Sequence, residues 1–154
     1  MCYNLYMIDN NIDLLKNIKT DESDITSDLN MLKLAYMGDS IYENLIRDYI
    51  INKYTDKLKM NDIHKKTTSL VCAATQAKIV DKMIEDGFLN EKEVDVFKSA
   101  RNSHSMTKSK NSSIVDYRKA TGFEAVFGYL YFKNDLVRLK ELFQYTCKFI
   151  DNLL

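Results

Sequence analysis

The apolar positions of this chain fall into blocks too long and too unbroken for strands. Residues 29–51 are almost continuously apolar, with Leu32, Leu34, Ala35, Tyr36, Met37, Ile41, Tyr42, Leu45, Ile46, Tyr49 and Ile50. Their length and lack of strict alternation predict a buried helix. A polar stretch from Asn52 to Asn61 follows, and a second helix is expected to open at Asn61 or Asp62, both good N-cap types. It carries Ile63, Leu70, Val71, Ala74, Ala77, Ile79, Val80 and Met83, with Gly87 as a suitable stop. Asn90, with Glu93 three residues on, has the form of a capping box and opens a third helix to about Arg101. Residues 102–113 are mainly Ser, Lys and Asn and read as an exposed loop. A fourth helix is expected from about Val115 through Phe132, broken by Asn134 and Asp135. Asp135 then caps the last helix, where Leu136, Leu139, Leu142, Phe143, Phe149, Ile150 and Leu153 share one stripe.

Composition narrows the picture in the same direction. The chain has 154 residues, enough for one domain with a real core. It has no proline and only four glycines, which leaves little for the tight turns of β-rich folds. An all-α helical bundle is therefore expected, spanning 29–154. Residues 1–28, polar and rich in Asn and Asp around Leu14 and Leu15, form an extension of uncertain order. No stretch approaches the roughly 20 apolar residues of a membrane span, and the start lacks the basic-then-apolar pattern of a signal peptide. Cys2, Cys72 and Cys147 are too few and too far apart for a disulfide framework, and neither CxxC nor HxxxH spacing occurs. A reducing, cytoplasmic setting is expected. The formal net charge is zero, with 22 basic and 22 acidic residues, but its distribution is uneven. Acids dominate residues 9–28, whereas Lys98, Arg101, Lys108, Lys110, Arg118 and Lys119 face only Asp116 between 98 and 119.

The informative residues are acids that interrupt apolar helices. Asp39 sits in Leu34-Ala-Tyr-Met-Gly-Asp39-Ser-Ile-Tyr-Glu43, and Glu124 in Thr121-Gly-Phe-Glu124-Ala-Val-Phe-Gly128. Burying an ionised carboxylate is costly unless a cation or hydrogen bonds compensate it. Gly38, Gly122 and Gly128 flank the two acids, and a glycine inside a helix costs about 1 kcal/mol relative to alanine, so close approach of two helices or of a ligand should require them. Two readings stay open at this point. Asp39, Glu43 and Arg47 share a helix face, so Glu43 can pair with Arg47, and Glu124 can pair with Arg118 or a lysine. Alternatively, Asp39 and Glu124 form a two-carboxylate metal site. Phe123, Phe127 and Tyr131 have helical spacing and belong to the core rather than to a base-stacking surface.

The segment from Leu34 to Glu43 resembles the ribonuclease III signature in its Mini-ribonuclease III version, and other segments agree in order. Asn61-Asp-Ile-His-Lys-Lys66 is similar to that family's second-helix start, and Ala73 to Ala77, with Gln76, to its continuation. Lys98-Ser-Ala-Arg-Asn102 resembles its basic loop, and Tyr117 and Arg118 followed by Thr121-Gly-Phe-Glu124-Ala-Val-Phe-Gly128 its closing motif. The resemblance covers residues 29 to about 145. It implies a ribonuclease III catalytic domain, a homodimer without the usual double-stranded-RNA-binding domain, that cuts double-stranded RNA and matures the ends of precursor 23S ribosomal RNA. A ribosomal protein is a candidate helper; a membrane is not.

Asp39 and Glu124 match the family's catalytic acids. The implied ion is Mg²⁺, with Mn²⁺ as a substitute, because a hard cation with oxygen ligands and retained waters suits phosphodiester hydrolysis. It would lower the pKa of an attacking water and stabilise the departing 3′ oxygen. For gripping RNA, Lys98, Arg101, Asn102, Lys108, Lys110 and Arg118 suit phosphates and 2′-hydroxyls, His64, Lys65 and Lys66 lie at a helix start that favours phosphate, and Gln76 and Tyr117 fit the core or an interface equally well. Several positions depart from the ordinary ribonuclease III pattern: Leu32, Ala35 and Thr121 stand where it has acids, which leaves waters and Glu43 to complete the coordination. Ser99 and Ala100 replace an Arg-Gly pair of the basic loop, and His104 a common lysine, so a weaker grip on RNA is expected. The rival expectations are an inactive RNA-binding or ribosome-associated domain of the same fold, and a helical interaction module.

Overall fold

The computed structural model describes residues 30–54, 57–103 and 113–152. The described residues form helices α1 (Met31–Tyr54), α2 (Met60–Val71), α3 (Ala73–Glu85), α4 (Glu91–Asn102), α5 (Ile114–Phe132) and α6 (Leu136–Asp151). The expected extension 1–28, most of the 102–113 loop, and Leu153 lie outside the described residues.

Helix α5 is the axis of the bundle, with α1, α3 and α4 packed around it. It is apolar on every side, and an unbroken run from Ala120 to Phe123 and again from Ala125 to Leu130 is buried. A helix apolar all round must be enclosed by other elements. Tyr42 of α1 sets its ring edge-on to Phe123 and Phe127, at 5.0 and 5.5 Å between centroids, and its hydroxyl donates to the Leu70 carbonyl at 3.1 Å. One buried side chain thus ties α1 to both α5 and α2. Tyr36, part of the apolar run in α1, instead faces outward and is 80% exposed.

Local signals account for most helix ends. Asn90 and Glu93 form the reciprocal capping box expected of them, and Asp135 accepts from the Arg138 backbone N–H. Gly87 takes a left-handed φ of 62° after α3, with Phe88 N donating to Met83 O and Gly87 N to Ile84 O. Asn134 repeats this at φ 57° after α5, with Asp135 N bonded to Leu130 O and Asn134 N to Tyr131 O. Both are left-handed stops, one using glycine and one the asparagine that tolerates this conformation best among other residues.

Two expectations are corrected. The predicted second helix is two helices, because Cys72 is extended at φ −72°, ψ 150°. Local side chains offer partners that a continuous helix would not: Thr75 Oγ1 donates to Ser69 O at 2.7 Å, and Cys72 Sγ to the same carbonyl at 3.3 Å. Such side-chain bonds compete with the helical ladder. Helix α2 also starts earlier than expected, at Met60 after Lys59, with no side-chain cap; neither Asn61 nor Asp62 caps it.

A buried ion pair, unforeseen in the sequence, fastens α6 to the turn before α4. Glu93 is fully buried, and Arg138 meets it through Nε at 2.8 Å and Nη2 at 3.0 Å. The same guanidinium donates to the Phe88 carbonyl at 2.6 Å and stacks over the Phe88 ring. Every charge taken from water here has a bonded partner, which burial demands.

Candidate active site

The site begins with a crossing of two helices that only glycine permits. A Cβ on Gly38 of α1 would overlap the Glu124 carbonyl oxygen and lie 2.6 Å from its carbon and 2.9 Å from Gly128 N. A Cβ on Gly128 of α5 would likewise overlap the Leu34 carbonyl oxygen and lie 2.8 Å from its carbon. Main chain therefore meets main chain, and Asp39 follows Gly38 at this contact. Gly122 plays a similar part against α4, where a Cβ would lie 2.8 Å from Phe97 O. The glycines expected to serve close approach do so.

The crossing brings the carboxylates of Asp39 and Glu124 together. Asp39 is exposed, and Glu124 is half-buried between buried Phe123 and Ala125. Burial, then the Asp39 charge, push the Glu124 carboxyl up to about 8, while a hydrogen bond from Gln76 works the other way. Asp39 is also raised, by burial and by Glu43. Among the described residues no Lys or Arg pairs with Glu124, so the salt-bridged alternative for this acid is not what the structure contains. Glu43 does pair with Arg47, through Nε at 3.1 Å and through Nη2.

Both carboxyls are shifted toward their protonated forms, which marks a place short of positive charge. Their oxygens are hard donors, and together they suit a divalent ion that keeps most of its waters. Among the described residues no group of three or more His, Cys, Asp or Glu side chains is arranged to hold a metal. Asp39 and Glu124 are the two carboxylates that this crossing could offer to an ion, with Glu43 behind them but engaged by Arg47. Thr121, at the position where the ordinary family pattern has an acid, is buried, and its hydroxyl donates to Tyr117 O at 3.0 Å.

The RNA-directed residues are scattered more widely. His64 and Lys65 are exposed on the first turns of α2, and Lys66 lies over the Tyr54 ring at 5.0 Å. Lys98 and Asn102 are exposed on α4. Arg101 bonds Asn102 Oδ1 at 3.2 Å and lies 5.6 Å from the Phe97 ring centroid. Tyr117 is half-buried and Arg118 exposed on the first turns of α5; Lys108 and Lys110 lie outside the described residues. Gln76 takes the core place of its two expected ones, and at 1% exposure its inclusion among the RNA-gripping residues is corrected. Its Nε2 donates to Val71 O at 3.2 Å, and its Oε1 is buried without a partner, a state that costs on the order of 1–3 kcal/mol. The sequence signal for this position is a polar residue among apolar neighbours Ala77, Ile79 and Val80. Among the described residues no helix is long and apolar enough to cross a membrane.

Comparison with known proteins places these features in context. The ribonuclease III domain family matches residues 32–135. A Mini-ribonuclease 3 from Clostridium tetani is 49% identical over 114 residues, 74% of each chain. One from Streptococcus pneumoniae is 42% identical over 74% of this chain and 88% of its own. A solved Fusobacterium nucleatum protein superposes with a TM-score of 0.68 at 28% identity, over 82% of this chain and 96% of that one.

Proposed function

The chain belongs to the ribonuclease III family, and from that premise we propose that it is a divalent-metal-dependent endoribonuclease for double-stranded RNA. The observation that carries this reading is the glycine crossing of α1 and α5, which holds Asp39 and Glu124 side by side. The finer reading is that the ion is Mg²⁺, with Mn²⁺ able to substitute, that the active form is a homodimer, and that the substrate is a double-stranded stem of precursor 23S ribosomal RNA in the cytoplasm. A ribosomal protein is a candidate helper at that substrate.

Asp39 and Glu124 would hold the ion. A bound Mg²⁺ supplies Lewis-acid assistance to phosphodiester hydrolysis. The chain's own contribution is placement. Asp39, on the open side, faces substrate and solvent, while Glu124, half-buried, is fixed by the main-chain contact beneath it. Lys98, Arg101 and Asn102 of α4, with Arg118 of α5 and His64, Lys65 and Lys66 of α2, offer cationic and amide groups for phosphates. Lys108 and Lys110 extend the same basic segment, and Tyr117 lies beside it.

The test is cleavage of a long RNA duplex with and without Mg²⁺, comparing the wild type with Asp39→Asn and Glu124→Gln. Metal-dependent cutting that disappears in both variants, while duplex binding persists, is the expected result. A wild type that binds duplex but fails to cut it whichever divalent ion is supplied would replace this reading with that of an inactive RNA-binding domain.

A further inference from the structure

Beside Glu124 lies one buried polar side chain whose placement has no core-filling explanation. Gln76 sits in the first turn of α3, immediately after the extended residue Cys72 that separates α3 from α2. Its side chain is 1% exposed. A methionine has a similar length and would fill this space without burying an amide. Yet the amide is present, and the fold tolerates an unpartnered Oε1 to keep it.

Its donor end explains the choice. Nε2 donates to Val71 O at 3.2 Å, the final residue of α2, whose carbonyl loses its helical partner at the break. The same amide lies beside the Glu124 carboxyl and favours its charged form. Gln76 therefore links the end of one helix to an acid on another, and the break at Cys72 is what puts Val71 O within its reach. An amide fixed beside the carboxyl favours one orientation of it, which neither Phe123 nor Ala125 can do through apolar contact.

We propose that Gln76 is a positioning residue for Glu124: held by the Val71 carbonyl, it orients the Glu124 carboxylate toward the ion that Glu124 and Asp39 share. This rests on the reading of those two acids as the ion's ligands. Groups that orient a ligand in this way change metal affinity or activity by about 10–100-fold when removed.

Gln76→Met tests it, because it keeps the volume and deletes the donor. Three measurements are made on the whole chain: thermal melting by circular dichroism, Mn²⁺ affinity by electron paramagnetic resonance, and kcat and KM on duplex RNA with Mg²⁺. The expected variant melts close to the wild type, binds Mn²⁺ at least tenfold more weakly, and loses at least tenfold in kcat with KM little changed. Met83→Leu, a buried α3 change away from the acids, should shift melting without altering Mn²⁺ affinity. Should Gln76→Met not fold, the wild type still answers: the Gln76 side-chain amide signals should move in nuclear magnetic resonance spectra as Mg²⁺ is titrated in. Amide signals that stay still would overturn the proposal, as would a folded Gln76→Met with wild-type Mn²⁺ affinity and kcat. A wild type that neither binds Mn²⁺ nor cuts duplex would instead bring down the two-acid reading, and this one with it.

Discussion

Replacing Glu124 by glutamine should make the metal-free protein more stable, although it removes the proposed chemistry. In the folded chain the Glu124 carboxyl is raised from 4.5 to about 8 by burial and by Asp39. The folded state therefore keeps its proton between those values while the unfolded chain has released it. Stability of the metal-free protein falls as pH rises through that window, and above about 8 the folded state carries the whole cost of an ionised Glu124. At about 1.4 kcal/mol per pH unit the interval sets a ceiling of roughly 5 kcal/mol. Solvent reaching the half-buried carboxylate relieves part of this, leaving an expected gain of ~1–3 kcal/mol for Glu124→Gln at pH 9. For a domain of this size that corresponds to on the order of 5–10 °C in Tm. Near pH 5 the wild-type group is protonated in the fold, and the two proteins should melt together. The assay is thermal denaturation in a chelating buffer at both pH values. Added Mg²⁺ should then raise the wild-type Tm at pH 9 and leave the variant nearly unmoved. A variant no more stable than the wild type at pH 9, or equally stabilised at both pH values, would refute the reasoning.

Other consequences can be checked with equal directness. Gly128→Ala places a methyl group against the Leu34 main chain, where nothing flexible can yield, and overpacking of about 1–3 kcal/mol or more should appear as a lowered urea midpoint; an unchanged midpoint would contradict the crossing. Arg138→Met leaves the buried Glu93 charge without its cationic partner and should cost ~3–5 kcal/mol, while the double change with Glu93→Leu should recover only part of that loss in the same denaturation experiment, because Glu93 also accepts from Asn90 N in the capping box. Duplex binding should weaken steeply with salt, and Lys98→Ala or Arg101→Ala should each lower the slope of log K against log salt by about 1. A slope that neither variant alters would remove α4 from the RNA surface.

What could be read from the amino-acid sequence was mostly local. Asn90 with Glu93, Asp135 and Gly87 act within a few residues of themselves, so their caps and stops were evident from residue type and spacing. The acids at 39 and 124 were conspicuous because charge inside apolar helices demands a reason, and the flanking glycines suggested close approach. The break at Cys72 was hidden, since Ser69, Cys72 and Thr75 are compatible with a helix and only their particular bonds to Ser69 O favour the alternative. Gln76 stayed open between core and interface for a related reason. An amide among apolar residues reads equally as a core group or a surface one, and what decides is the end of α2 and Glu124 of α5, both distant in the chain. Tyr36 shows the converse, an aromatic residue in a buried run that points outward.

The contact between Gly38, Glu124 and Gly128 makes the separation of the two acids a property of the backbone. With no side chain between the helices, no substitution at the crossing can tune that separation in small steps, since every alternative residue adds bulk. Core changes elsewhere can soften the molecule without altering the gap. Adapting this scaffold to an ion of different radius would therefore mean redrawing how α1 passes α5, and exchanging the acids alone would leave the aperture as it is.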